Sequence, residues 1–250
     1  MSVVSKLTLA AGAAAIMGAV GSVPAQARLI LAIDDPTTAG IDYIAVDDGD
    51  GMVGDATPFG TATTADGAAG GGNVNMTITG DPRFALIFAA ATSSSTPSAG
   101  SLTLSVVSVS GLTADVALDI FAIDTDYGLG PGTLWTVNES TTGTTAAGTT
   151  VNTGTAVDLT NMELGPIALP DSHGTGTIND VDLTVNASST PAAFSLAQGV
   201  RIDYPTAGAG FQPFSTTSVN TALTVTVDEA PGLLLGLAGL LGIGWIRRRR

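Results

Sequence analysis

Ser101-Leu102-Thr103-Leu104-Ser105-Val106 alternates polar and apolar side chains without a break. Successive side chains of a β-strand point to opposite faces, so this spacing buries one face and wets the other. The same period of two recurs in Val74-Asn75-Met76-Thr77-Ile78, Val116-Ala117-Leu118-Asp119-Ile120, Val181-Asp182-Leu183-Thr184-Val185 and Leu223-Thr224-Val225-Thr226-Val227. Shorter strands are expected over residues 29–33, 41–46, 84–90, 134–137, 162–169, 194–196 and 200–204. Threonine, serine and glycine fill the gaps, and residues 28–229 hold no sustained period of 3.6. Many short strands divided by turn residues predict an all-β fold, an antiparallel β-sandwich. Residues 57–72, 92–100 and 139–154 are low in complexity and are expected to be exposed loops. The last either separates two sub-domains or is a long surface loop of one sandwich, the reading favoured here.

Both flanks of this body are apolar. Residues 1–6 carry one cation, residues 7–23 are alanine-rich and apolar, and Pro24-Ala25-Gln26-Ala27 has the small-x-small form of a cleavage site. This predicts a secretory signal helix over residues 1–27, cut after Ala27 with Ala25 as the other small residue. At the other end, residues 230–250 begin with Ala230 and Pro231. They continue from Leu233 through Leu240 to Trp245 and Ile246, and close with Arg247, Arg248, Arg249 and Arg250. An apolar rod ending in arginines is a stop-transfer signal whose cations stay on the cytoplasmic side. Its apolar core of residues 233–246 is shorter than the ~20 residues of a comfortable membrane span, which suits a short transmembrane helix and a transient anchor.

The signal peptide, the cysteine-free Thr/Gly-rich body and the arginine-capped tail together resemble a PEP-CTERM protein. The resemblance is strongest over residues 228–250. That family's signature is a Pro-Glu-Pro tripeptide before the apolar stretch. Here the stretch reads Asp228-Glu229-Ala230-Pro231, which keeps Glu229 and Pro231 and lacks the first proline. The resemblance implies a sorting signal read by a membrane-embedded exosortase in a Gram-negative bacterium that makes exopolysaccharide. It implies export across the inner membrane, transient anchoring there, and delivery to the cell surface or extracellular matrix. The expected partners are an exosortase-like processing enzyme and exopolysaccharide.

Residues 28–229 hold all 22 Asp and Glu residues but only three cations, Arg28, Arg83 and Arg201, a net charge of −19. Nucleic-acid binding needs cationic patches, so that class is excluded as a partner. With 44% apolar and 12% charged residues, the body has enough to bury to fold. Without cysteine, its stability rests on core burial and backbone ladders.

Two acidic runs are candidate sites. Asp47, Asp48, Asp50 and Asp55 alternate with Gly49, Gly51 and Gly54, an oxygen-rich bent loop of the kind that takes Ca²⁺, although Pro58 stands where an EF-hand places its glutamate. A solvated hairpin turn fits the same residues. Asp124 and Asp126, with Asp119 upstream, offer a second cation site, a solvated loop, or the paired carboxylates of a glycosidase. Asp171-Ser172-His173 holds the only histidine. With no Gly-x-Ser-x-Gly elbow or cysteine, it reads as an exposed histidine rather than a triad or zinc site. Trp135 near Tyr127 is either an aromatic sugar platform or core, core being favoured. The resulting expectation is a non-enzymatic envelope or matrix protein with no cofactor. The alternative is a calcium-assisted carbohydrate-binding or adhesive module, and a glycosidase is the weakest reading.

Overall fold

The computed structural model describes residues 29–37, 41–47, 53–55, 61–66, 72–96, 99–127, 134–158, 161, 167–186, 193–206, 208 and 210–228. The expected signal helix, transmembrane helix and cleavage residues lie outside them. Among the described residues there is no helix and there are fourteen strands. They are β1 (Ile30–Asp34), β2 (Tyr43–Val46), β3 (Val53–Asp55), β4 (Thr61–Asp66), β5 (Asn73–Thr79), β6 (Phe84–Thr96), β7 (Ala99–Ser110), β8 (Ala117–Tyr127), β9 (Leu134–Thr145), β10 (Thr150–Asp158), β11 (Asp171–His173), β12 (Gly176–Asn186), β13 (Phe194–Asp203) and β14 (Thr216–Asp228). They form two seven-stranded sheets, β11-β10-β13-β8-β1-β2-β3 and β12-β9-β14-β7-β6-β5-β4. Every pairing is antiparallel.

The alternation does what its period dictates. Leu102, Leu104 and Val106 of β7 are wholly buried, as are Val74 and Met76 of β5, Leu118 and Ile120 of β8 and Leu223 of β14. Those of β5, β7 and β14 meet Leu118 and Ile120, together with Leu31, Ile33, Val200 and Ile202, from the facing sheet in one apolar layer. Each such side chain contributes roughly 1.5–3 kcal/mol of burial. Both sheets therefore draw strands from early and late in the chain around a shared core.

Three segments depart from expectation. Residues 139–154 are the end of β9 and the start of β10 around a short turn, residues 61–66 form β4, and residues 92–96 and 99–100 belong to the paired strands β6 and β7. Threonine is β-branched and extends readily, and these strands lacked only the apolar alternation that would have marked them. Conversely, the described part of the expected strand over 162–169 is not strand. Ile167 and Leu169 instead pack on the outer face of the first sheet against Phe121 and Ala197. Glycine makes room there, since a Cβ on Gly154 would stand 2.0 Å from the carbonyl oxygen of Ala168.

A side-chain amide stands inside the apolar layer. Gln198 shares the inward face of β13 with Leu196 and Val200 and is 0% exposed. Both of its amide atoms are buried without a hydrogen-bond partner among the described residues. An unsatisfied buried amide costs about 1–3 kcal/mol, so Gln198→Met, of similar length, should stabilise the fold by about that much. A thermal melt should show a midpoint several degrees higher; an unchanged one would mean that internal water already satisfies the amide.

Candidate functional site

The sandwich has two ends, and each gathers acidic side chains. Leu29 and Ile30 start β1 at one end, and Asp47 is tied to it there by its amide, which donates to the Leu29 carbonyl at 2.9 Å. β14 finishes at the same end, since Thr226 pairs with Ala99 and Ala99 with Thr96 at the tip of the β6–β7 hairpin. The strands adjoining the two apolar flanks thus leave from a common end.

That end gathers residues from both acidic runs. Asp47 accepts a hydrogen bond from the Gly72 amide at 2.5 Å, and the Ser93 amide in turn donates to the Gly72 carbonyl at 2.8 Å. The other carboxylate oxygen of Asp47 is buried without a partner among the described residues. Asp124 is buried nearby. Burial raises its pKa, hydrogen bonds from Ser93, Tyr127 and the Thr125 amide lower it, and the charge of Asp47 raises it again. Asp126 is turned away by a left-handed backbone, φ 63°. It is engaged with Asn161, whose Oδ1 accepts from its amide at 2.8 Å and whose Nδ2 donates to its carboxylate at 2.6 Å. Asp55 ends β3 opposite Tyr43, and Asp48 and Asp50 lie outside the described residues. Among the described residues, no three acidic or histidine side chains are grouped so as to hold a metal.

Asp119 belongs to the opposite end, apart from Asp124 and Asp126. It lies across from Asp34 on β1 and from Arg201 on β13, and Arg201 lies across from Asn152 on β10. These four side chains form a polar row on the outer face of the first sheet. The guanidinium of Arg201 is 3.6 Å from the Asp119 carboxylate and donates through Nε to Asp203 at 2.9 Å. Asp119 is 1% exposed, and one carboxylate oxygen each of Asp119 and Asp34 is buried without a partner among the described residues. Burial, followed by the charges of Asp42, Asp119 and Asp35, pushes Asp34 up to about 7. Asp119 is also pushed up to about 7, by burial first and against the pull of Arg201.

Arg83 ties this cluster to the other sheet. It donates to Asp35, beside β1, and grips Asp81 with Nε at 3.0 Å and Nη2 at 3.1 Å. Asp35 also accepts from the Thr37 amide at 2.9 Å and hydroxyl at 2.7 Å, and its own amide donates to Asp42 at 2.7 Å. Two of the three body cations are thus invested in one acidic cluster. Asp34, Asp35, Asp42 and Asp203 escaped the sequence reading because register, not sequence spacing, assembles them. The scarcity of arginine in an acidic body was the available signal.

The remaining candidates resolve differently. Trp135 and Tyr127 are buried in the core, so neither is an exposed sugar platform. Tyr127 stacks on Phe194 at 5.4 Å and donates to the Ser101 carbonyl at 2.9 Å. His173 sits on the short strand β11 rather than in a loop and meets the Thr153 hydroxyl at 3.2 Å. Asp228 closes β14 opposite Leu134. Glu229, Ala230, Pro231, the apolar rod and the four arginines lie outside the described residues. Among the described residues no helix is long and apolar enough to cross a membrane.

No protein-family model matches the chain, and no curated protein does. Among solved structures, it is similar to the enzymatically active domain of tailspike protein 4 of bacteriophage CBA120. The alignment has 9% identity and a TM-score of 0.26 and covers 80% of this chain. It covers 19% of that structure, so the chain spans less than a fifth of its length. A likeness of that size carries no statement about fold or activity.

Proposed function

We propose that the chain is an exported, non-enzymatic protein of the cell envelope or exopolysaccharide matrix, sorted through its C-terminal segment by an exosortase-like enzyme. One observation supports this above the others: Asp228 ends a strand held on both sides, by β7 and by β9, each over eleven register pairs. A tail leaving such a strand transmits tension into the middle of a sheet rather than peeling an edge. Because β1 begins at the same end, an anchored body presents its opposite end about 40 Å away, at ~3.3 Å per residue along a thirteen-residue strand.

The intact mass of the protein, taken separately from membranes and culture fluid, tests this reading. A released form that begins at Arg28 and ends near Glu229 is the expected result. A full-length tail found in membranes alone would remove processing from the reading.

The convergence of Asp47 and Asp124 favours a second reading, a calcium-assisted carbohydrate-binding or adhesive module. Two buried carboxylates, Asp47 just beyond β2 and Asp124 on β8, the first with an oxygen that has no partner among the described residues, are a start toward the several oxygens that Ca²⁺ takes. On this reading, saturating Ca²⁺ raises the melting midpoint by linkage, about 2.7 kcal/mol at a hundredfold excess over Kd. Asp47→Asn abolishes the rise. A midpoint indifferent to Ca²⁺ and chelator removes the reading.

A further inference from the structure

The four sheet edges are built unequally. β3 and β11 are three residues long and β4 is six, whereas β12 runs for eleven residues and pairs only with β9 among the described residues. Long edges invite added strands, and proteins commonly blunt them with proline, lysine, bulges or inward-pointing charges, the last of which turn away like-charged strands but not basic ones. β12 has no proline or lysine, and its register with β9 is unbroken from Gly176 to Asn186.

The register also fixes which way its side chains face. Asp182 lies across from Glu139 and Asp180 across from Thr141. Glu139 accepts a 2.6 Å hydrogen bond from Thr155 of the facing sheet, which makes this the inward face. Val181 and Leu183 must then point outward, contrary to the expectation that their alternation faced the core. They are 62% and 64% exposed. The facing edge strand β11 is too short to cover the inward side, so Asp180 and Asp182 remain exposed there. They act on Glu139 and Asp171, raising both carboxyls after burial has done so first.

We propose that β12 is a docking edge for an extended segment of another protein, one that alternates basic and apolar residues. Its backbone would continue the sheet, its basic residues would meet Asp180 and Asp182, and its apolar residues would cover Val181 and Leu183. Strand addition draws affinity from main-chain hydrogen bonds and specificity from alternating side chains. A second copy is a poor occupant, since antiparallel pairing of two β12 edges sets like charges beside each other, which is destabilising. Both arginines of the described residues are committed at the Asp34–Asp119 end, so none of the described residues supplies the complementary cations. The docking edge does not depend on how the tail is processed.

The test uses the full chain, its tail held in a mild detergent, and a labelled peptide, Thr-Lys-Val-Arg-Val-Lys-Val-Arg-Thr, followed by fluorescence anisotropy. The matched control carries N-methyl groups on alternate backbone amides, which keeps the charge and removes strand pairing. The parent peptide should bind at least about tenfold more tightly than the control. Asp180→Asn with Asp182→Asn should weaken the parent about tenfold through two lost cross-strand ion pairs. Both positions are exposed, and a melting midpoint no lower than that of the wild type will show that the variant is folded. Equal binding of parent and control would reduce the effect to bulk charge and overturn the proposal. An unaltered affinity in the double variant, or crosslinks that join two copies through β12, would overturn it as well.

Discussion

Replacing Arg83 by alanine is expected to cost the fold about 3 kcal/mol at neutral pH, with the melting midpoint lowered by roughly 6–12 °C. Arg83 is the cation between Asp35, just beyond β1 of the first sheet, and Asp81, in the connection between β5 and β6 of the second. The Asp35 side chain is 2% exposed, and Asp34, Asp42 and Asp119 crowd the same end. Removing one partner of a buried pair leaves a charge that neither water nor a counter-ion stabilises, typically worth 3–5 kcal/mol. Two facts pull the figure to the low side. Arg83 is itself about a quarter exposed, and Asp35 keeps the hydrogen bonds from Thr37. Arg83→Lys should be intermediate, because an ammonium keeps the charge but cannot reproduce the two-pronged grip on Asp81. Denaturant melts of the three proteins at pH 7.5 decide the matter. If Arg83→Ala loses under 1 kcal/mol, this ion network is a solvated surface feature and not the tie between the sheets. Adding Asp35→Asn to Arg83→Ala should recover part of the loss, since the stranded charge goes with it.

The sequence exposed the fold better than the cluster that Arg83 holds. Leu102, Leu104 and Val106, or Val74 and Met76, declare a buried face because only apolar residues fill it. Alternation does not say which way the face points, however. Val181 and Leu183 have the same pattern, yet the inward side of β12 belongs to Ile178, Asp180 and Asp182, because that edge overhangs a three-residue neighbour. Threonine-rich strands were hidden for a related reason, in that a half-wet strand needs no apolar alternation to pair. The acidic runs misled through proximity in sequence. Asp119 and Asp124 are five residues apart along one strand and therefore belong to different ends of the molecule. Asp34 and Asp119 are 85 positions apart in number yet sit side by side in register.

That adjacency gives the fold an unusual dependence on pH. Asp34 and Asp119 each have a native pKa of about 7, against 3.8 when unfolded. The native state therefore holds protons that the unfolded chain has released. The stability these groups supply is fully present below about pH 4, fades as pH rises toward 7, and is gone above about 8. Burial shifts Asp124, Glu139 and Asp171 in the same direction. The net charge of the body adds self-repulsion as its carboxyls ionise. For Asp119, buried beside Arg201, the shift corresponds to at most ~4 kcal/mol. Asp34 is only half-buried, and its share is smaller because solvent screens it. A fall in melting midpoint of about 5–10 °C between pH 5 and pH 8 is the expected sum. Asp34→Asn isolates one contribution, since the amide mimics the protonated acid and no arginine depends on it. It should be close to neutral at pH 4.5, stabilising by about 1–2 kcal/mol at pH 8, and should flatten the profile. A wild-type midpoint that instead climbs from pH 5 to pH 8 would mean that Arg83 and Arg201 keep these carboxylates ionised. The cluster would then be a set of ordinary ion pairs, with Asp34→Asn destabilising at every pH above 5.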